Sequence, residues 1–276
     1  MTLLSKLFGF GGRKKTPEDV KISLPCGTLA LGNAQHQGKR DYQEDSFGFS
    51  NVTGDGYSEK GVLAVLADGM GGLSNGKDVS MSVVSSVLEW FDKKPENYTS
   101  GEAMKNEIVR INEKICDIYC SDGKVSAGST VVLAAINEGE LHWLSVGDSR
   151  LYIKRDGEVY QISEDHDYLN RLLGEALEND TAVSKAFNNS EKDSLVGCIG
   201  KRNLDLFDYS KKGYRLIKGD IIILCSDGVY NALTKDEINE NVNSDAMASC
   251  KRIINLVAAK RMPGQDNNTV IVMSYI

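Results

Sequence analysis

No apolar run in this 276-residue chain approaches the roughly 20 residues that a bilayer span requires. There is no CxxC pair and no cysteine–histidine cluster. Cys26, Cys116, Cys120, Cys198, Cys225 and Cys250 are scattered, which argues against a zinc pattern and fits a reducing cytoplasm better than a disulfide framework. Histidine is scarce: His36, His142 and His166 are the whole supply, and a packing role is the expectation for each. The formal net charge of -7 lacks the basic excess of a nucleic-acid binder. The opening stretch MTLLSKLFGFGGRKK lacks the charged-then-apolar order of a secretory signal, so residues 1–22 read as a flexible basic leader. Neither an internal repeat nor a low-complexity linker divides the remainder. Residues 23–276 are therefore expected to form one domain of a monomeric, cytoplasmic protein.

What is present is an ordinary globular balance, 41% hydrophobic and 26% charged, long enough to bury a sizeable core. The stretch Val62 to Gly72, VLAVLADGMGG, reads as a buried strand that ends at Asp68, where glycines bend the chain and allow close backbone approach. Strands are predicted over 28–37, 47–52 and 61–68, then helices over 78–91 and 102–119 from apolar residues at helical spacing. Short β-rich segments at 129–136, 140–146, 150–155 and 158–162 are separated by NEGE, GDS and RDGE, the signature of an antiparallel meander. Residues 163–200 turn polar and helical, an insertion lying over the surface. Strands return at 204–209, 213–217 and 220–226, followed by helices at 235–242 and 245–260 and a last strand at 268–276. Strands and helices in blocks give α+β with antiparallel sheets: two sheets face to face, a helix pair covering each outer face.

Acidic residues gather at strand ends: Glu44 and Asp45, Asp68, Asp148, Asp227 and Asp266. An isolated Asp-Gly is usually a turn, and Asp55 and Asp156 read that way. Asp68 and Asp227 differ because each closes an almost wholly apolar run, VLAVLA and IIILCS. A carboxylate at the mouth of a buried strand is costly unless a cation pairs with it. If the two strands are neighbours, Asp68 and Asp227 converge. Oxygen ligands alone select Mg²⁺ or Mn²⁺, and several carboxylates can hold two such ions about 3.5–4 Å apart. Arg40, close before Glu44, offers the bidentate cation that a phosphate needs.

Seven motifs occur in order: RDYQED (40–45), LADGMGG (66–72), AGST (127–130), VGDSRLY (146–152), EDH (164–166), CSDGVYN (225–231) and DNNTVIV (266–272). In these the chain resembles the metal-dependent protein phosphatases of type 2C, the PPM family, in its bacterial form. The resemblance spans about residues 32–274. It implies a four-layer αββα sandwich and hydrolysis of phosphoserine and phosphothreonine in proteins, opposing a serine/threonine kinase. It further implies that Asp68 bridges two Mn²⁺ or Mg²⁺ ions, with the Gly69 carbonyl as a ligand. Glu44 holds one ion, and Asp227 with Asp266 the other. By the same resemblance Asp45 hydrogen-bonds metal-bound water, Arg40 grips the phosphate and Asp148 helps hold a weak third metal. Thr130 and Arg150 are expected to support the site. Met70 stands where many eukaryotic members carry a histidine, Asn231 where some place an aspartate, and residues 163–200 correspond to a flap bordering the site. Two other readings stay open: a catalytically silent relative used as a binding module, and a different two-metal phosphoester hydrolase.

Overall fold

A computed structural model describes residues 20–24, 26–50, 61–71, 75–93, 100–121, 124–192 and 194–276. The leader through residue 19, the turn around Asp55 and the last glycine of LADGMGG, Gly72, lie outside the described residues. The first half of the chain forms β1 (Val20–Leu24), β2 (Gly27–His36), β3 (Asp45–Phe49), β4 (Val62–Gly71), α1 (Asn75–Lys93) and α2 (Gly101–Tyr119). A run of strands follows: β5 (Cys120–Ser121), β6 (Lys124–Val125), β7 (Ala127–Ser129), β8 (Val131–Asn137), β9 (Glu140–Val146), β10 (Arg150–Arg155) and β11 (Glu158–Gln161). Helices α3 (Tyr168–Glu178) and α4 (Ser184–Phe187) lead to β12 (Asp208–Tyr209), β13 (Tyr214–Arg215) and β14 (Ile221–Cys225). The chain closes with α5 (Asp227–Tyr230), α6 (Lys235–Asn241), α7 (Ala246–Ala259) and β15 (Asn268–Tyr275).

Two antiparallel sheets result, in the orders β1-β2-β15-β14-β10-β11 and β12-β9-β8-β4-β3, with β13 also on β9 and β7 also on β4. The strand alternation explains why the apolar runs carry no polar positions. Along β4, Val62, Ala64 and Leu66 enter the core between the sheets, while Leu63, Val65 and Ala67 meet α1 and α2. Along β14, Ile222 and Leu224 point between the sheets, and Ile221, Ile223 and Cys225 pack under α6 and α7. Both strands are thus buried on both faces, and the layers are α, β, β, α. None of the described helices is long and apolar enough to cross a membrane.

Four differences from the sequence reading bear on the site. First, β4 does not end at Asp68. It continues to Gly71, with Gly69, Met70 and Gly71 paired to Ser129, Gly128 and Ala127 of β7. Of the two roles expected of the glycines, Gly69 shows the close approach and not the bend: a Cβ would lie 2.2 Å from the Gly76 carbonyl oxygen at the start of α1. Second, the strands carrying Asp68 and Asp227 are not neighbours. They belong to opposite sheets, and their carboxylates meet across the sandwich. Third, the boundary expected at residue 22 falls inside β1, whose Ile22 and Leu24 enter the core while Lys21 and Ser23 stay exposed. That alternation was visible in VKISL. Fourth, the strands expected at 204–209 and 213–217 shrink to the two-residue pairings of β12 and β13 on β9.

Candidate metal centre

Every predicted site residue except Asp45 lines one cavity of about 250 Å³: Arg40, Glu44, Asp68, Gly69, Asp148, Asp227 and Asp266. Asp45 lies directly behind it, 4% exposed, opposite Asp68 in the β3–β4 register. The cavity opens at one end of the sandwich because β4, β9 and β14 deliver their carboxylates there and β3 and β15 begin there. Asp68 is fixed through its backbone: its N–H donates to Thr130 Oγ1 (3.0 Å), and its carbonyl accepts from Thr130 N (2.8 Å) and Ser129 Oγ (2.9 Å). Glu44 is fixed by helix α1. Its carbonyl accepts from Ser80 Oγ (2.5 Å), and its carboxylate accepts from the Lys77 N–H in the first turn. A side chain on Gly76 would sit 2.5 Å from Glu44 Oε1, so only glycine leaves that carboxylate its place. Asp45 Oδ2, from one sheet, accepts from Ser226 Oγ (2.9 Å) and Thr269 Oγ1 (2.6 Å), both from the other.

The electrostatics ask for a cation. Glu44 Oε1, Asp45 Oδ1 and Asp227 Oδ1 are buried with no hydrogen-bond donor. Burial and the neighbouring carboxylates of Asp45, Asp227 and Asp148 hold the Asp68 carboxyl well above its usual range. Burial, then Asp148 and Asp266, push Asp227 up to about 7. Burial raises Asp45 to about 6 against the pull of its two hydroxyl donors. Burial raises Asp148 and Glu44 as well, the latter despite Arg40. Among the described residues no three His, Cys, Asp or Glu side chains already form a closed chelating group. The carboxyl groups of Glu44, Asp68, Asp148, Asp227 and Asp266 instead line an open cavity. Orphaned buried oxygens, an all-oxygen donor set and an open cavity together fit hard divalent ions.

A pH dependence follows. A carboxylate whose folded pKa is raised keeps more protons in the folded state, so chelator-treated protein loses stability as pH climbs from the unfolded value of 3.8 through about 6 and about 7. Thermal melts in EDTA should fall by roughly 10 °C between pH 5 and pH 8. Added Mn²⁺ should restore more at pH 8 than at pH 5. A flat EDTA profile would contradict the crowding described here.

Sequence reasoning missed several supports. Asn267 was passed over inside DNNTVIV, although it is 4% exposed and makes three side-chain hydrogen bonds to the loop that carries Arg40. Arg150, expected to support the site, proves central to the first foot of the 163–200 segment. Its guanidinium grips Asp165 in a bidentate pair (Nε–Oδ1 3.1 Å, Nη2–Oδ2 2.6 Å) and lies 3.5 Å over the Tyr230 ring. His166 has the structural role expected of it. Its Nδ1 accepts from Gly147 N (3.1 Å), and burial lowers its pKa. The flap's other foot, Ile199, exchanges two backbone hydrogen bonds with Ser129 (3.1 and 2.8 Å). Between its feet lie α3, capped by Asp167 Oδ1 on Asn170 N (2.7 Å), and α4. Leu195 of the flap reaches the cavity wall. Asn231 does not crowd the site as an aspartate would: its Nδ2 donates to Asp227 Oδ2 (3.2 Å).

Two antiparallel sheets between helix layers, with a carboxylate cavity at one end of the cleft, define a four-layer αββα sandwich built around an acidic site. The sequence profile described as Protein phosphatase 2C matches residues 34–265, and the chain belongs to that family. Among named relatives it is 28% identical over 244 residues to the serine/threonine phosphatase stp of Listeria innocua, covering 85% of this chain and 90% of that protein. It is likewise 28% identical over 215 residues to the protein phosphatase PhpP of Streptococcus pneumoniae, covering 77% and 85%. Among solved structures, the catalytic domain of the serine/threonine protein phosphatase PstP, in complex with two manganese ions, superposes with a TM-score of 0.69 at 24% identity, over 90% of this chain and 98% of that one.

Proposed function

We propose that this chain is a protein phosphatase that hydrolyses phosphoserine and phosphothreonine in proteins at a centre of two Mn²⁺ or Mg²⁺ ions. The observation that carries the reading is the set of buried, donorless carboxylate oxygens of Glu44 and Asp227 facing the same cavity as Asp68, Asp266 and Arg40. Asp68, at the middle of the group, would help hold both ions. Gly69 would add its carbonyl, Glu44 one side, and Asp227 with Asp266 the other. Asp148 lines the same cavity and could serve a further, weaker ion. Ions held there would supply water of lowered pKa and a positive clamp for the phosphoryl oxygens.

The remaining work falls to the chain itself. Arg40 Nη2 pairs with Asp266 Oδ2 at 2.6 Å, yet the guanidinium is half exposed at the cavity rim. From there it can turn its fork onto a phosphate. Asp45, sealed behind Asp68, holds the position of the group in front of it and keeps one oxygen available to orient water. Met70 and Leu195 give the cavity an apolar wall against bulk solvent. With methionine at that position, protonation of the departing serine or threonine oxygen is left to water in the site.

The natural substrates would be products of a serine/threonine kinase, and the scattered cysteines suit a cytoplasmic enzyme. Phosphate release from a phosphothreonine peptide, measured with Mn²⁺ and then with excess chelator, tests the reading. We expect release only with metal, and its absence from folded, Mn²⁺-loaded protein would overturn the proposal. Arg40→Ala should raise KM about tenfold or more while kcat changes less. An effect confined to kcat would remove Arg40 from phosphate binding.

A further inference from the structure

The segment that carries Arg40 contains no regular secondary structure between the end of β2 at His36 and the start of β3 at Asp45. A loop of that kind would leave a phosphate-gripping arginine and a metal ligand, Glu44, free to drift apart. Here it is tied down by three consecutive residues that precede β15. Lys39 N donates to the Gln265 carbonyl (2.8 Å). Gly38, in the left-handed region at φ +66°, packs so closely that a Cβ would lie 2.1 Å from the Asp266 carbonyl oxygen. Asn267 does most of the tying. Its Oδ1 accepts from Glu44 N (2.7 Å), and its Nδ2 donates to the carbonyls of Gln37 (2.8 Å) and Tyr42 (2.9 Å). Gln37 in turn donates to the carbonyls of Arg40 (2.7 Å) and Asp41 (3.0 Å).

Both donor positions and the acceptor of the Asn267 carboxamide are therefore used on one loop, at points before and after Arg40. The amide is buried, so none of these bonds competes with bulk water on equal terms. Its neighbour Asp266 meanwhile accepts from the Arg40 side chain. One dipeptide at the head of β15 thus sets the backbone of the loop and the resting direction of its guanidinium.

We infer that Asn267 is a positioning residue for phosphate recognition: it holds the 37–44 loop so that Arg40 and Glu44 face the same cavity. This rests on the phosphatase reading above, in which Arg40 meets the phosphate. Asn267 lines the cavity, but its carboxamide oxygen and nitrogen are all engaged by the loop rather than turned to the open space. It acts through the loop.

The test is a double-mutant cycle between Asn267→Ala and Arg40→Ala, read by the inhibition constant for inorganic phosphate and by KM for a phosphothreonine peptide, in Mn²⁺. In the wild-type background, Asn267→Ala should weaken phosphate about tenfold or more, because displacing the guanidinium by around 1 Å is enough to do so. In the Arg40→Ala background the same change should add less than about twofold at saturating Mn²⁺, because the phosphate-binding group it positioned is gone and excess metal offsets any loosening of Glu44. Equal losses in both backgrounds would mean a general structural role and would overturn the inference, as would an unchanged inhibition constant in the single variant. Should the alanine variant fail to fold, Asn267→Asp makes the same comparison. It keeps the acceptor for Glu44 N–H and removes the donors to Gln37 and Tyr42. Wild-type protein that binds Mn²⁺ yet releases no phosphate would instead overturn the phosphatase reading, so the two failures are distinguishable.

Discussion

Asp68→Asn is expected to lower metal-dependent phosphate release by about a thousandfold or more while the protein remains folded. The size follows from position. Asp68 is the carboxylate on which Asp45, Asp227, Asp148 and Asp266 all act, so it is the one best placed to share two cations. Several kcal/mol of transition-state charge stabilisation depend on such ions, and each 1.36 kcal/mol is a factor of ten in rate. Survival of the fold follows from chemistry at the backbone. The three hydrogen bonds that fix Asp68 come from Ser129 and Thr130 and use its N–H and carbonyl, none of them its side chain. Removing one charge from a crowded, buried carboxylate group should also leave the chelated protein at least as stable as the parent at pH 8. Activity and melting temperature measured on the same preparation check both halves. A variant that keeps more than about a tenth of the activity would displace Asp68 from the centre of the site.

The second large effect is on stability rather than on turnover. Arg150→Ala would leave Asp165, 9% exposed, without the guanidinium that holds both its oxygens, and would strip the cation from the face of Tyr230. Breaking a buried pair from one side costs about 3–5 kcal/mol. Arg150 is a quarter exposed, so the lower end applies, a loss of roughly 6–12 °C in melting temperature for a domain of this size. Arg150→Lys should recover only a minor part, because an ammonium cannot reproduce the bidentate fork or the flat stack. Recovery to within a degree or two would show that charge alone matters there. Calorimetry in chelator separates this from any change in metal binding.

How far the sequence alone reached depends on what each residue does. Carboxylates after wholly apolar runs were legible, since burial of a strand on both faces leaves a periodicity that needs no partner to be seen. Asp68 and Asp227 were found that way. Their meeting across two sheets was not, because a run such as IIILC carries no mark of which sheet it will join. Close backbone approach was legible in the glycines after Asp68, but the bend expected with it does not occur at Gly69, which continues β4. Its real constraint is the Gly76 carbonyl, seven positions later in the chain and at the start of a helix, and contact of that kind leaves no periodic trace. β1 was missed although VKISL alternates cleanly, because the basic character of the preceding residues dominated the reading. Asn267 and the hydroxyls of Ser226 and Thr269 were passed over because their partners, Glu44, Gln37, Tyr42 and Asp45, are some 180 to 230 residues away in sequence. Tertiary hydrogen bonding at that separation cannot be read from spacing.

The tie between the Arg40 loop and the head of β15 also sets a timetable. β15 lies between β2 and β14 in its sheet, and Gln265 to Thr269 supply the partners for Lys39, Arg40, Glu44 and Asp45. A chain still being synthesised therefore has its Arg40 loop long before it has the Gln265–Asn267 partners that tie it across the sheet, and the cavity that Asp266 and Asn267 help line is complete only when β15 pairs.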